Sequence, residues 1–278
     1  MRLYKYFHPD RTDVLENGTI RFSSPKVLND PFELKPYISG IAPKSELESG
    51  FELNLPELLS EKYAALSRSE RRRVSWKQFQ VIAKAQLPVA YGHLKDASDQ
   101  ILPVLQNSME NTFAKMIGIL CLTESPDNLL MWAHYADSHQ GFVVEFDTDH
   151  PFFDQRLHLE DDFRCLRKVI YSETRPSFVL SKLKDFTPFL TKGLEWSYET
   201  EWRMMLNLES ASTVIGEGPA AVHLFNFPKS SIRRVILGCR VSDVKAAEIR
   251  QILKDSAEYA NVVCKQAQID ASKYSLNF

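Results

Sequence analysis

Residues 3–23 read Leu3-Tyr4-Lys5-Tyr6-Phe7-His8-Pro9-Asp10-Arg11-Thr12-Asp13-Val14-Leu15-Glu16-Asn17-Gly18-Thr19-Ile20-Arg21-Phe22-Ser23, and they set the class of the fold. Leu3 to Phe7 has the composition and alternation of a strand. Asp10 to Asn17 reads as a short helix, stopped by Gly18 because glycine accepts the left-handed backbone that ends a helix. Thr19 to Ser23 is then a second strand. Two strands thus precede any helix long enough to serve as a crossover between parallel neighbours, a connection of roughly a dozen residues or more. The expectation is an α+β fold with a mixed or mainly antiparallel sheet, not a doubly wound parallel one.

Working outward, Ser24-Pro25 through Asn29-Asp30-Pro31-Phe32-Glu33 is turn chemistry, with two prolines and an Asn-Asp pair. From 43 to 115 the apolar residues recur every three or four positions, as in Leu55, Leu58, Leu59, Tyr63 and Leu66, then Trp76, Phe79, Ala83 and Leu87. This stretch reads as a helical insertion. Strand character returns at 118–123, a helix at 127–136 and a strand at 141–147. Strands are expected again at 168–171, 197–208, 221–227 and 233–237. Ser242 caps a helix with Ala246, Ile249 and Leu253 inward, and 261–269 gives a last strand. The chain reads as one α+β domain over 1–278, interrupted by the insertion at 43–115.

The bulk numbers narrow the function classes. The 278 residues carry 34 Lys+Arg against 36 Asp+Glu, a net charge of −2, with 44% hydrophobic and 25% charged residues. A globular chain fits these values and an intrinsically disordered one does not. The basic excess that draws a protein to phosphate backbones without regard to sequence is missing. No apolar run approaches the roughly 20 residues of a membrane span, and the start, Met1-Arg2-Leu3-Tyr4-Lys5, has no signal-peptide core. A cytoplasmic protein that avoids membranes is the expectation. Cys121, Cys165, Cys239 and Cys264 stand apart with no metal-binding spacing, so reduced thiols and no metal are expected.

The residues with most chemical content are Tyr198-Glu199-Thr200-Glu201-Trp202-Arg203-Met204. As a strand, they put Glu199, Glu201 and Arg203 on one face and Tyr198, Thr200, Trp202 and Met204 on the other. The plain reading is a solvated edge strand. The functional one is a cleft wall whose paired carboxylates stabilise positive charge on a sugar carbon and orient a nucleophile. A second constellation runs Cys121-Leu122-Thr123-Glu124-Ser125-Pro126, a strand leading through hydroxyls into a helix that bears Met131-Trp132-Ala133-His134-Tyr135-Ala136. Glu145 in the next strand is either an edge device or a site member. Lys5 shares a face with Leu3 and Phe7, as an edge lysine or as a cation held at a pocket. Gly216-Glu217-Gly218-Pro219 has the glycines of a dinucleotide fingerprint without its strand-turn-helix setting, and reads as a loop. The cluster His158, Glu160, Asp161 and Asp162, a weak candidate for a metal nuclease, reads as a solvated loop.

Taken together, Leu3-Tyr4-Lys5-Tyr6, Arg21-Phe22-Ser23-Ser24-Pro25, Asn29-Asp30-Pro31-Phe32-Glu33, Met131-Trp132-Ala133-His134-Tyr135-Ala136, Gly141-Phe142 and Glu201-Trp202-Arg203 resemble a bacterial family labelled domain of unknown function 2971. The order of parts is also similar, more remotely, to ADP-ribosyltransferases: a first strand with a basic residue, a hydroxyl-bearing strand running into a helix, and a late strand with Glu-x-Glu. That likeness implies a split sheet and NAD as substrate. It implies Glu201 as the carboxylate that stabilises the ribosyl transition state and Glu199 as the group orienting the acceptor. Lys5 and Ser125 would meet the ribose or pyrophosphate, with Tyr135 or Trp132 near the nicotinamide. Tyr6, Ser23, Asn29, Asp30, Thr123, His134 and Arg203 are the further binding residues it implies. Lys5 departs from the Arg or His usual at its place, and a lysine offers a point charge instead of a bidentate fork.

The expected partners are therefore a small-molecule nucleotide and an acceptor macromolecule, in bacterial stress or phage defence. The competing class is a non-catalytic module that senses a ligand or docks a protein partner through the helical insertion. Apolar residues exposed on the insertion would favour it.

Overall fold

In the computed structural model, which describes residues 1–278, β1 (Arg2–Phe7) and β2 (Thr19–Phe22) flank the short helix α1 (Asp13–Asn17). Gly18 ends α1 at φ 63°, the conformation for which glycine has no steric cost. β3 (Tyr37–Gly40) leads into α2 (Lys44–Ala65), α3 (Arg68–Arg73), α4 (Trp76–Ala85) and α5 (Leu87–Met116). Capping boxes at Ser67/Glu70 and Ser75/Gln78 start α3 and α4, satisfying amide groups that a helix start leaves unpaired. Then come β4 (Ile117–Thr123), α6 (Leu129–Tyr135) and β5 (Phe142–Asp147). The region expected to hold one strand at 168–171 is broken at Val169 into β6 (Arg167–Lys168) and β7 (Ile170–Ser172), and β8 (Ser177–Val179) and β9 (Thr191–Gly193) follow. β10 (Glu201–Asn207), β11 (Thr213–Ile215), β12 (Val222–Asn226) and β13 (Ile232–Leu237) precede α7 (Asp243–Asp255). The chain ends with β14 (Val263–Gln266), β15 (Gln268–Ile269) and β16 (Leu276–Asn277).

The main sheet has the order β14-β13-β5-β1-β4-β10-β6. Its β13–β14 pair is parallel and is the one joined through α7, while the other pairs are antiparallel. The fold is thus α+β with a mixed sheet. A second antiparallel sheet has the order β11-β12-β2. Pro219 and the short turn at Gly218–Ala220 lead directly into β12, so the Gly216 segment is a loop.

Strand β1 pairs with β5 from Arg2↔Asp147 to Phe7↔Phe142, yet it meets β4 only at Tyr4↔Thr123. β4 in turn pairs with β10 along its length, from Glu201↔Thr123 to Asn207↔Ile117. The sheet therefore opens between β1 and β4. On one face Leu3, Phe7, Leu122, Met204 and Val235 pack with Ile249 and Leu253 of α7 and with Phe22 and Phe225 of the second sheet. On the other, Met131 and Trp132 of α6 cover Tyr6, Val143 and Ile236. Burying each such side chain contributes roughly 1.5–3 kcal/mol, which fixes both walls of the opening.

Glu145 is neither an edge device nor a member of the cavity described below. β5 lies between β13 and β1, and the fully buried Glu145 is paired with Arg2 and, at 2.9 Å, with Arg234 Nε. Alignment of Tyr4, Glu145 and Arg234 across three strands produces this pairing.

Two compact units divide the chain. The first comprises Met1–Lys35, Glu110–Arg175 and Asp185–Phe278, and contains both sheets; the second comprises Pro36–Met109 and Pro176–Lys184. The helical stretch expected at 43–115 is the run α2 to α5, and the second unit also carries β3 paired in parallel with β8. Tyr63 packs against Trp76 and Phe79 there, at ring-centroid distances of 5.2 and 5.4 Å. No helix is long and apolar enough to cross a membrane.

Candidate functional site

The strand expected to begin at Ser197 begins at Glu201, because Leu194–Glu199 forms a 3-10 turn and Thr200 takes a left-handed backbone at φ 42°. A β-branched residue rarely adopts that conformation unless its surroundings impose it. Here Thr123 Oγ1 donates to the Glu199 carbonyl at 2.5 Å and lies 3.2 Å from Thr200 Oγ1. Simple alternation therefore does not place Glu199. The kink brings it back toward Glu201, so that Lys192 Nζ donates to Glu199 Oε2 and, at 3.2 Å, to Glu201 Oε2.

Beyond the kink, alternation holds. Glu201 and Arg203 lie opposite Thr123 and Cys121 on one face of the sheet. Arg203, fully buried, donates to both oxygens of Glu201 at 2.8 and 3.0 Å and to both oxygens of Glu33. Tyr135 OH donates to Glu199 Oε1 at 2.5 Å. A continuous buried network results, Glu33–Arg203–Glu201–Lys192–Glu199–Tyr135. β10 is no edge strand, since β4 and β6 flank it.

The two central carboxylates are pushed apart in acidity. Burial raises the pKa of each. For Glu201 the cations of Arg203 and Lys192 overcome burial and hold the pKa down at about 2. For Glu199 burial prevails over Lys192, and the pKa is raised. Lys192 is itself held charged, because its two glutamates outweigh its desolvation. One carboxylate is thus held ionised and its neighbour is the weaker acid and stronger base of the two, the pattern that separates electrostatic from acid-base roles.

This network faces a cavity of about 510 Å³. Lys5 also lines it, half-buried in the opening between β1 and β4, with Nζ donating to the Cys121 carbonyl at 3.0 Å. Burial pushes its pKa down. Ser23 lines the cavity from the end of β2, where it bridges to Ile119. Arg21 precedes it by two residues on the same face. It makes no ion pair, and its buried Nε has no hydrogen-bond partner.

Residues 131–204 match the family model of DUF2971, a protein of unknown function. The family resemblance read from the sequence is shown over that stretch. No curated protein and no solved structure matches the chain. The DUF2971 segment runs from α6 into β10, and so contains Tyr135, Lys192, Glu199, Glu201 and Arg203.

Nine of the residues expected at the site line the cavity: Lys5, Tyr6, Ser23, Asn29, Thr123, His134, Tyr135, Glu199 and Glu201. Four do not. Trp132 is fully buried beneath it, its Nε1 donating to the Pro126 carbonyl at 2.9 Å. Arg203 is enclosed behind Glu201 and Glu33. Ser125 turns its hydroxyl to Asp127 at 2.8 Å, and its carbonyl accepts from Tyr6 OH at 2.8 Å. Asp30 is buried and accepts from the Phe32 amide at 2.8 Å, tying its own loop.

Sequence reasoning missed Glu33, Lys192, Cys121, His8 and Asp137, all on the cavity wall. Glu33 ends the Asn29-Asp30-Pro31-Phe32-Glu33 loop, and the long polar character of that loop was its signal. Lys192 had none: it lies in a strand of three residues whose neighbour Tyr171 accepts the Glu201 amide through its hydroxyl at 2.8 Å. The acidic cluster at 158–162 serves its own loop, with Asp161 accepting from the amides of Leu157 and Phe163 at 3.1 and 3.0 Å and Asp162 paired with Arg167.

Proposed function

We propose that the protein is an NAD-dependent ADP-ribosyltransferase-like enzyme working in the cavity at the opening of the sheet. One observation carries the reading: pairing of β1 with β4 stops after Tyr4↔Thr123, Lys5 stands in the gap, and both glutamates of Glu-x-Glu face the same space. NAD, when bound, supplies a ribosyl carbon and the nicotinamide that leaves it. Glu201 presents a permanent negative charge in a poorly solvated site, where it stabilises positive charge on that carbon more than water would. Glu199, with its raised pKa, orients the acceptor and takes its proton. Lys192 and Tyr135 hold it in place. Lys5 meets the pyrophosphate, with Arg21, behind the cavity wall, adding positive charge nearby, and Ser23 and Asn29 offer hydrogen bonds beside it. With Trp132 buried, the aromatic wall for the nicotinamide is Tyr135 with His134.

Calorimetric titration of NAD tests the binding half of this reading. Wild type should bind saturably, and Lys5→Gln combined with Arg21→Gln should weaken binding at least tenfold. Absence of binding to wild type would remove NAD from the account.

A second reading, docking of a protein partner, rests on the helical unit. Leu53, Val81 and Val104 are 81%, 64% and 65% exposed there. Their replacement by lysine should leave NAD binding unchanged.

A further inference from the structure

A second cavity, of about 580 Å³, lies between the turn that follows α6 and the C-terminal hairpin β15–β16. Its volume falls within the range of small-molecule sites. Leu129, Ile269 and Leu276 give it an apolar wall, and His139, Arg240 and Lys273 give it nitrogen donors. Asp270 lines it too and stays ionised, with its oxygens turned to neutral donors of its own loop. Asp270 accepts from the amides of Ser272 and Lys273, from the Ser272 hydroxyl and from Asn277 Nδ2, all within 3.0 Å, so its charge closes the hairpin loop. Arg240 and Lys273 have no carboxylate partner.

His139 supplies the second observation. Its Nδ1 is buried with no hydrogen-bond partner, a state that costs about 1–3 kcal/mol and calls for an explanation. The ring is fixed where it stands. Asp137, Ser138 and His139 all have left-handed backbones, at φ 46°, 53° and 73°. The run is clamped by Gly141 and Gly238, whose missing side chains let the Phe7 and His139 carbonyls approach. The imidazole also stacks on Trp132 at a ring-centroid distance of 6.1 Å. Burial and the neighbouring Arg240 lower its pKa.

We propose that this cavity binds a phosphorylated small molecule, its phosphate held by Arg240 and Lys273 beside the fixed His139 ring, and its organic body against Leu129, Ile269 and Leu276. The guanidinium fork and the ammonium suit three phosphate oxygens, and the clamped His139 ring gives the cavity a rigid floor. The site is separate from the one lined by Lys5 and Glu201, and stands or falls without it.

Calorimetry with phenyl phosphate tests the proposal, using wild type, the exposed-site variant Arg240→Gln/Lys273→Gln, and Lys5→Gln/Arg21→Gln. Saturable binding to wild type, weakened at least tenfold by Arg240→Gln/Lys273→Gln and unchanged by Lys5→Gln/Arg21→Gln, is the expected result. Three results would overturn it: no saturable binding to wild type, wild-type affinity in Arg240→Gln/Lys273→Gln, or a loss confined to Lys5→Gln/Arg21→Gln.

Discussion

Lys5 Nζ donates to the main-chain carbonyl of Cys121 at 3.0 Å, across the gap where β1 and β4 have ceased to pair. That contact replaces a strand-to-strand hydrogen bond with a side chain, and it holds Lys5 in the wall of a cavity that Glu199 and Glu201 also line. The opening, the cation and the paired carboxylates are therefore one arrangement.

Lys192 joins the two glutamates, and its removal should be felt in stability. Lys192→Met leaves Glu199 and Glu201 buried without the cation between them, and loss of one partner from a buried ion pair costs about 3–5 kcal/mol. Urea unfolding at pH 8 should show a loss of that order. A midpoint equal to wild type at pH 8 would show that the network does not hold the fold.

Acid should unfold the protein through its depressed carboxylates. Burial opposes the ionised form of Glu201, but Arg203 and Lys192 lower its pKa from 4.5 to about 2. Asp161 is lowered from 3.8 to about 2, its amide and Arg164 partners overcoming its desolvation. The folded chain binds these protons less readily than the unfolded one, so their stabilisation is complete above about pH 4.5 and is lost as pH falls toward 2. Glu33 and Glu199 are raised by burial and run the other way, favouring the fold at low pH and less as pH rises through their folded values. Urea midpoints for Asp161→Asn should fall less steeply than wild type between pH 4 and pH 2. An identical slope would exclude Asp161 from the acid transition.

Glycines at close approaches should behave oppositely to glycines in open helices. A methyl group on Gly141 or Gly238 would collide with the carbonyl oxygen of Phe7 or His139. Backbone atoms cannot yield as a flexible side chain can, so Gly141→Ala and Gly238→Ala should lose about 3 kcal/mol or more, at the upper end of overpacking costs. Gly92, inside α5, has nothing within 4 Å of the added carbon. Gly92→Ala should gain about 1 kcal/mol from helix propensity. Thermal melts of the three variants give the signs directly.

The class of the fold was legible because its first strands are short, alternating and punctuated by Gly18, and because Ser242 and Asn128 cap their helices through side chains. Glu201 and Arg203 were legible for the same reason, as alternation governs a regular strand. Glu199 reached the same cavity by a route alternation does not describe, a left-handed Thr200 imposed by tertiary hydrogen bonds to Thr123. Trp132 and Ser125 were misplaced because a motif records neighbours in sequence, whereas burial and capping decide which side of a short helix faces the cavity. Lys192 stayed hidden because what makes it a site residue is its partners in space.

Release of nicotinamide from NAD by the purified protein tests the central claim most directly. Wild type should release it, and Glu201→Gln, shown to be folded by circular dichroism, should do so more slowly by about 10²-fold or more, the scale for loss of one electrostatic group at a reacting centre. Equal release by the two proteins, or no release by either, would contradict the account.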